Sequence, residues 1–306
     1  MLPAAERLRV VIDTDPGVDD LVALALAARS PQIDLVAVTT TYGNAPLEAT
    51  TRNARHVLSL AGRPDVPVVP GSAAPMRRTA HTARVRHGPE GAGDAPVPPA
   101  EPVTPTPAAI ADVLAKAPKP VTLVTMGPLT NLAAAIEREP ELLRSTIERH
   151  VGMFGNLETD LDGVRHADFN TWCDPEAAHR GLLARLPTTM VTLDASRQAL
   201  VPADWVERAR ASRDPLTSWL GAALASALRY DREHRGVPGV LVHDVLTIAA
   251  LLDPSVLECR DISITVSLDE GEDRGHTREA LEGVPVRVAV SADAERMRAL
   301  LKRVLW

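Results

Sequence analysis

Short apolar runs alternate with helical apolar periods along most of the chain. Residues 8–12, 33–40, 66–69, 121–126, 151–154 and 189–193 are rich in Val, Ile and Thr and bounded by polar or turn residues, the pattern of buried strands. Between most of them, residues 18–28, 47–60, 108–117, 129–137, 175–186 and 216–234 repeat their apolar positions at helical spacing. Strand and helix in turn predict an α/β fold, with a mostly parallel sheet covered by helices on both faces. Residues 262–266 and 284–290 read as further strands that extend the sheet or form a small antiparallel edge, and residues 292–304 as a closing helix. Six prolines among the twelve residues 96–107 favour an extended surface connection. The alternation resumes beyond it without a shift in composition, so one domain over 1–306 is expected.

Composition narrows the function classes. A net charge of −7 offers no basic footprint for nucleic acid or an acidic membrane. There is no run of about 18 uncharged apolar residues and no signal-peptide pattern over residues 1–9, so a cytoplasmic protein is expected. Cys173 and Cys259 are too few for a disulfide framework or a zinc site.

The most informative chemistry lies where the first strand should turn into the first helix. Asp13-Thr-Asp15-Pro-Gly-Val-Asp19-Asp20 packs four carboxylates into eight residues. Open α/β sheets place ligands at that end of their strands. Like charges about 4 Å apart repel by roughly 1 kcal/mol in water and several times more when partly buried, so the cluster demands protons, basic partners or a cation. No Lys or Arg lies between Arg9 and Arg29. A divalent metal with oxygen ligands is the first reading; the competing one is that Asp19 and Asp20 complement the helix N-terminus.

Three further clusters add to it. His243-Asp244 opens an apolar helical run, pairing an imidazole that can donate a proton with a carboxylate that can bind metal, or else supplying a cap and a surface His. Asp168 and Asn170 would point the same way from an extended strand, while Asp174-Pro175 reads as an N-cap followed by a first-turn proline. Asn44 follows the second strand and would lie near the acids, or else is simply a turn residue. Tyr230 and His234, four residues apart, share a helix face that could close over a ligand, or else pack in the core or face solvent.

Together these segments resemble the inosine-uridine preferring nucleoside hydrolases. The resemblance rests on Asp13 to Asp20, Thr40-Thr-Tyr-Gly-Asn44, His87-Gly-Pro-Glu-Gly91, Met126-Gly-Pro-Leu-Thr-Asn131, Asp168-Phe-Asn170, Asp174-Pro-Glu-Ala-Ala and Val242-His-Asp244. It implies a Rossmann-like sheet, a bound calcium ion, and hydrolysis of the N-glycosidic bond of a ribonucleoside to free base and ribose. By the same resemblance Asp15, Asp20, Asp244 and the Met126 carbonyl hold the calcium, and Asp19, Asn44, Asp168 and Asn170 bond the sugar. Asp15 takes the proton of the attacking water, and His243, or His87 from its loop, protonates the departing base. A homodimer or homotetramer, with no nucleic-acid or membrane partner, is the corresponding expectation.

The chain also departs from the family pattern. Most members carry Glu where Asp168 stands, so this carboxylate reaches about one methylene less far. Restoring it with Asp168→Glu should, on this ground alone, raise activity on plain ribonucleosides. Residues 155–163 differ from the usual loop, and the sugar-binding asparagine is Asn156, is replaced by Asp162, or is absent. Two rival functions use the same acids. A haloacid dehalogenase-type phosphohydrolase would leave the Asp19-Asp20 pair without a role, and a non-catalytic calcium-dependent sugar- or nucleoside-binding protein would not need His243. An EF-hand is excluded, because Gly17 and Leu24 stand where its loop needs acids.

Overall fold

The structure, a computed structural model, describes residues 7–158 and 167–306. Its elements run β1 (Leu8–Thr14), α1 (Val18–Arg29), β2 (Ile33–Thr40), α2 (Leu47–Leu60), β3 (Val68–Pro70), α3 (Arg84–His87), α4 (Ala109–Leu114), β4 (Val121–Thr125), α5 (Thr130–Arg138), α6 (Pro140–Thr146), β5 (Ile147–Met153), α7 (Phe169–Cys173) and α8 (Pro175–Leu183). There follow β6 (Thr188–Val191), α9 (Leu193–Ser196), β7 (Leu200–Pro202), α10 (Ala203–Arg210), α11 (Pro215–Arg235), β8 (Gly239–Leu241), α12 (Val245–Leu252), β9 (Leu257–Val266), β10 (Thr277–Glu279), β11 (Val284–Ala292) and α13 (Ala294–Val304). The sheet order is β10-β9-β11-β6-β5-β4-β1-β2-β3, and β7 pairs with β8 in a separate antiparallel ribbon.

From β6 to β3 every neighbouring pair is parallel. The two readings of the late strands both hold: β11 joins β6 in parallel and extends the sheet, while β9 and β10 add an antiparallel edge. Helices cover both faces, as expected for strands apolar on both sides. In β1, Val10 and Ile12 enter a cluster with Leu21, Leu24, Leu220 and Leu246, whereas Val11 faces Leu123, Leu132 and Leu182 on the other side. Successive strands run outward in one direction from β1 to β3 and in the other from β4 to β6. That reversal opens a crevice between the carboxyl ends of β1 and β4, the place where such sheets bind ligands.

Some elements escaped the sequence pattern. α3, α7 and α9 have four or five residues, too few to show a helical period. β5 begins at Ile147 rather than 151 because Glu148 and Arg149 are exposed and break the apolar run. Residues 96–106 form no regular element and are tied back by the Trp219 indole, which donates to the Pro96 carbonyl at 2.7 Å.

His150 is a buried strap across the sheet. Its Nε2 pairs with Thr125 Oγ1 at 2.9 Å and its Nδ1 with Thr188 Oγ1 at 3.0 Å, joining β4, β5 and β6. Burial holds its pKa down to about 4, so the folded state keeps the neutral ring while the unfolded chain protonates near 6.5. Stability from this residue is complete above the unfolded value and is lost as pH falls toward the folded one. The cost is about 1.4 kcal/mol per pH unit between the two. Melting curves of wild type and His150→Gln should therefore converge from pH 7 to pH 4.5. A difference that stays constant over that range would refute the assignment.

Candidate active site

The four acids of the first turn have four different environments. Asp13 is a tie: its Oδ1 accepts from Thr39 Oγ1 on β2 and from Asn131 Nδ2 on α5, at 2.7 Å for the latter. Burial lifts its pKa to about 7 against those two donors. Asp15, just past β1, accepts from the Asn44 backbone N–H through Oδ2 at 2.7 Å, while its Oδ1 is buried with no hydrogen-bond partner. The backbone closes tightly around it. A Cβ on Gly43, whose φ is +152°, would stand 2.0 Å from Asp15 Oδ2, and one on Gly127 would stand 2.8 Å from Oδ1.

Asp20 closes the N-terminus of α1. Its Oδ2 accepts from the Gly17 N–H at 3.0 Å and from Asn44 Nδ2 at 2.9 Å, and its Oδ1 accepts from Thr14 Oγ1. Helix capping and ligand chemistry thus meet in one residue. Asp20 and Asp244 also stand close enough to repel, a proximity that two carboxylates keep only with a proton or a shared cation between them. Burial and the neighbouring charges push Asp15 and Asp244 well above the usual carboxylate range and Asp20 to about 6. Carboxylate oxygens of Asp19, Asp20 and Asp244 lie within 4.8 Å of one another.

Asp19 goes the opposite way. Burial opposes its charge, but the Arg86 guanidinium first, then His87 and His243, outweigh it and hold the carboxyl well below the usual range. Arg86 Nη1 donates to Asp19 Oδ1 at 3.1 Å, and the His243 backbone N–H donates to Oδ2 at 3.2 Å. The basic partner absent between Arg9 and Arg29 therefore arrives from α3.

The acids floor a cleft of about 330 Å³, at the small end of the range for small-molecule sites. Asp19, Asn44, His87, Met126, Asp168, Asn170, Tyr230, His243 and Asp244 all line it, so most of the sequence-predicted site residues converge there. Asp15 and Asp20 lie beneath them. His81, Phe169 and Trp172 form an aromatic wall, with His81 4.7 Å and Phe169 6.4 Å from Trp172, centroid to centroid. Tyr230 stacks on His234 at 4.4 Å, so the shared helix face exists, with Tyr230 in the cleft lining. His81, Arg86 and Ser196 were not singled out from sequence, since each gains its meaning only through a distant partner.

The two histidines differ. His243 Nδ1 lies 2.9 Å from Ser196 Oγ, and its buried Nε2 has no hydrogen-bond partner. Burial lowers its pKa to about 4, partly offset by the charge of Asp19. His87 accepts the Val18 N–H through Nδ1 at 3.0 Å, capping α1, and burial together with Arg86 pushes its pKa to about 3. The remaining ring nitrogen also differs: His87 Nε2 lies 3.3 Å from Arg86 Nη1, whereas His243 Nε2 has no hydrogen-bond partner.

Asp168 needs a correction. It does not lie on a strand but is the N-cap of α7. Its Oδ1 accepts from Asn170 N at 2.9 Å, and its Oδ2 from Gly155 N and Thr171 Oγ1. The short side chain favours the cap over the extended geometry. Asn170 turns its Nδ2 to the carbonyls of Met126 and Met153 at 3.0 and 2.9 Å. Asn156 accepts the Asp168 N–H at 3.0 Å, a supporting position, whereas Asp162 lies outside the described residues. Asp174 caps α8 ahead of Pro175 as predicted. The expected gain from Asp168→Glu is therefore reversed: a longer acid gives up the cap, and about 1 kcal/mol of stability should go with it and no activity be gained. A variant with raised kcat/KM and unchanged melting would restore the sequence-based view.

A sequence model of the inosine-uridine preferring nucleoside hydrolases matches residues 10–299. The chain belongs to that family. This nucleoside hydrolase is 35% identical over 295 residues to the pyrimidine-specific ribonucleoside hydrolase RihA of Photobacterium profundum, covering 94% of each chain. Its fold superposes on a plant nucleoside hydrolase with a TM-score of 0.89 at 30% identity, covering 97% of this chain and 98% of the other. A purine-preferring ribonucleoside hydrolase from Gardnerella vaginalis gives 0.87 at 28% identity with the same coverage. The protein is an N-glycosidic hydrolase of ribonucleosides. No described helix is long and apolar enough to cross a membrane.

Proposed function

We propose that this nucleoside hydrolase is calcium-dependent and acts first on pyrimidine ribonucleosides. The observation that carries the metal is Asp15 Oδ1, a buried carboxylate oxygen without a hydrogen-bond partner at the crevice between β1 and β4. Beside it, Asp20 and Asp244 repel one another unless positive charge joins them. Asp15, Asp20, Asp244 and the Met126 carbonyl would hold the ion, a set of hard oxygen donors suited to calcium. Asp19 is close enough to join them, but its pairing with Arg86 favours Asp15 as the third acid. Once bound, calcium supplies Lewis acidity toward a vicinal diol and a water.

The protein's own groups do the rest. Asp15 Oδ1 accepts the proton of the attacking water. Asp19, Asn44 and Asn170 bond sugar hydroxyls, while His87 and Asp168 hold the walls that face the substrate. His243 Nε2 meets the departing base. With a pKa of about 4 it is neutral at pH 7, so Ser196 must donate to Nδ1 for Nε2 to carry the ring's one hydrogen, which it offers to the departing base as a hydrogen bond. The His81, Phe169, Trp172 and Tyr230 rings offer faces for stacking. Pyrimidine preference is supported by the name of the RihA relative alone. A homodimer or homotetramer in the cytoplasm follows from the family resemblance, and a monomer by light scattering would overturn the oligomer.

Ribose release from uridine, cytidine, inosine, adenosine and guanosine, with and without a calcium chelator, tests the reading. Uridine and cytidine should lead, and chelation should silence all five. Purines in front would overturn the base preference. Silence across the panel with calcium bound would favour a non-catalytic nucleoside-binding protein instead.

A further inference from the structure

Arg86 is buried at the cleft wall with its whole fork committed. Nη1 donates to Asp19 Oδ1 at 3.1 Å and lies 3.3 Å from His87 Nε2, Nε donates to Asp231 Oδ1 at 3.3 Å, and Nη2 donates to Asp231 Oδ2 at 3.4 Å and to the Leu241 carbonyl. Asp231 is fully buried on α11 and accepts the Leu241 N–H at 2.8 Å and Arg235 Nη1 at 2.9 Å. One guanidinium therefore joins α3, α11 and the turn that carries His243 and Asp244 to the carboxylate of Asp19.

That carboxylate faces a choice. Its oxygens lie within 4.8 Å of ligand oxygens on Asp20 and Asp244, near enough for one cation to collect all three. We propose that Arg86 is a positioning residue that reserves Asp19 for the sugar by keeping it out of the metal's ligand set. The inference rests on the calcium-dependent reading above. An ion that gathered Asp19 along with Asp15, Asp20 and Asp244 would face four carboxylates, bind more tightly, and leave one fewer acceptor for the ribose. The planar fork suits this task, since its N–H groups reach three partners in different directions at fixed geometry, which an ammonium does not reproduce. The Arg86-Asp231 pair supplies the anchor, so the guanidinium does not follow Asp19 toward the ion.

Removing a supporting residue near a metal ordinarily weakens metal binding by about 10- to 100-fold. Here the opposite sign is expected. In Arg86→Gln, calcium should bind at least about threefold more tightly while kcat/KM for ribose release falls by about 100-fold, the size of effect that misplacement near the chemistry produces. In Arg86→Lys, which keeps a charge beside Asp19 but loses the fork's simultaneous hold on Asp231 and the Leu241 carbonyl, calcium affinity and turnover should both fall between those of wild type and of the Gln variant. Asp19→Asn tests the same point with Arg86 in place. If Asp19 is not a ligand, calcium affinity changes by less than about fivefold; if it is, affinity falls by about 100-fold.

Isothermal titration with calcium alone reads all three variants, with ribose release measured beside it. Weaker calcium binding in Arg86→Gln, turnover there within about threefold of wild type, or a large affinity loss in Asp19→Asn would each overturn the proposal. Should Arg86→Gln not fold, the Asp19→Asn titration decides alone. Because calcium binding is read without any nucleoside, a wild type silent on every nucleoside would defeat the hydrolase reading and leave the Arg86 result standing.

Discussion

Asp15→Asn should abolish ribose release and leave the fold intact. The carboxylate has one oxygen satisfied by the Asn44 N–H and one bare oxygen, and an amide can serve only one of those two positions. With its carbonyl toward Asn44 it presents an NH₂ where a cation and a proton acceptor are needed. With the amide reversed it turns a donor on a donor. Gly43 and Gly127 pack so closely that the group has no third orientation to adopt. Loss of a general base alone costs about 100- to 10,000-fold, and the same change removes a charged ligand, so a drop of at least 1,000-fold is expected. Stability should not suffer, since burial and the charge of Asp20 already disfavour the Asp15 carboxylate. Turnover within tenfold of wild type, measured with calcium saturating, would remove Asp15 from the mechanism.

Withdrawal of calcium should have the next largest effect, and on two readouts at once. Without the ion, Asp15, Asp20 and Asp244 remain buried and mutually repelling, so part of the folding free energy goes to keeping them protonated or apart. A ligand at about 1,000 times its Kd, bound to the folded state only, contributes about 4 kcal/mol. For a chain of this size that corresponds to a melting-temperature rise on the order of 10 °C. Chelated protein should melt lower by that margin and release no ribose, and both should return on adding calcium back. The pH response carries the sign. As pH falls from about 7 toward 4 the raised carboxylates contribute stability to the chelated protein, because its folded state binds those protons first, whereas in the calcium-bound protein the same protons displace the ion. The melting-temperature gap between the two forms should therefore narrow, the losses at His87, His150 and His243 being common to both. Melting temperatures that ignore calcium at every pH would argue against a metal at these acids.

The acid cluster shows how far local pattern reaches. Four carboxylates next to a strand end imply a site on electrostatic grounds alone, and the apolar run before them implies its depth. The division of labour among them was illegible. Asp13 became a tie because Thr39 and Asn131 meet it, Asp20 took a cap as well as its place in the cluster, and Asp19 gained a counter-ion from 67 residues away. Asp168 misled for a related reason. Read alone, Asp-Phe-Asn fits a strand as well as a cap, and a five-residue helix carries no period to choose between them.

What the chain determined by itself was the order of strands and helices, the two apolar faces of the sheet and the acidic turn at the end of β1. These depend on spacing between near neighbours, and the physics behind them acts within a few residues. Tertiary structure alone decided which strand lies next to β1, where the crevice opens, which histidine keeps an unpartnered nitrogen in the cleft, and which acid Arg86 holds. Those outcomes come from contacts between distant segments, and in a buried site each carboxylate takes its protonation and role from whichever charge or donor the fold brings beside it.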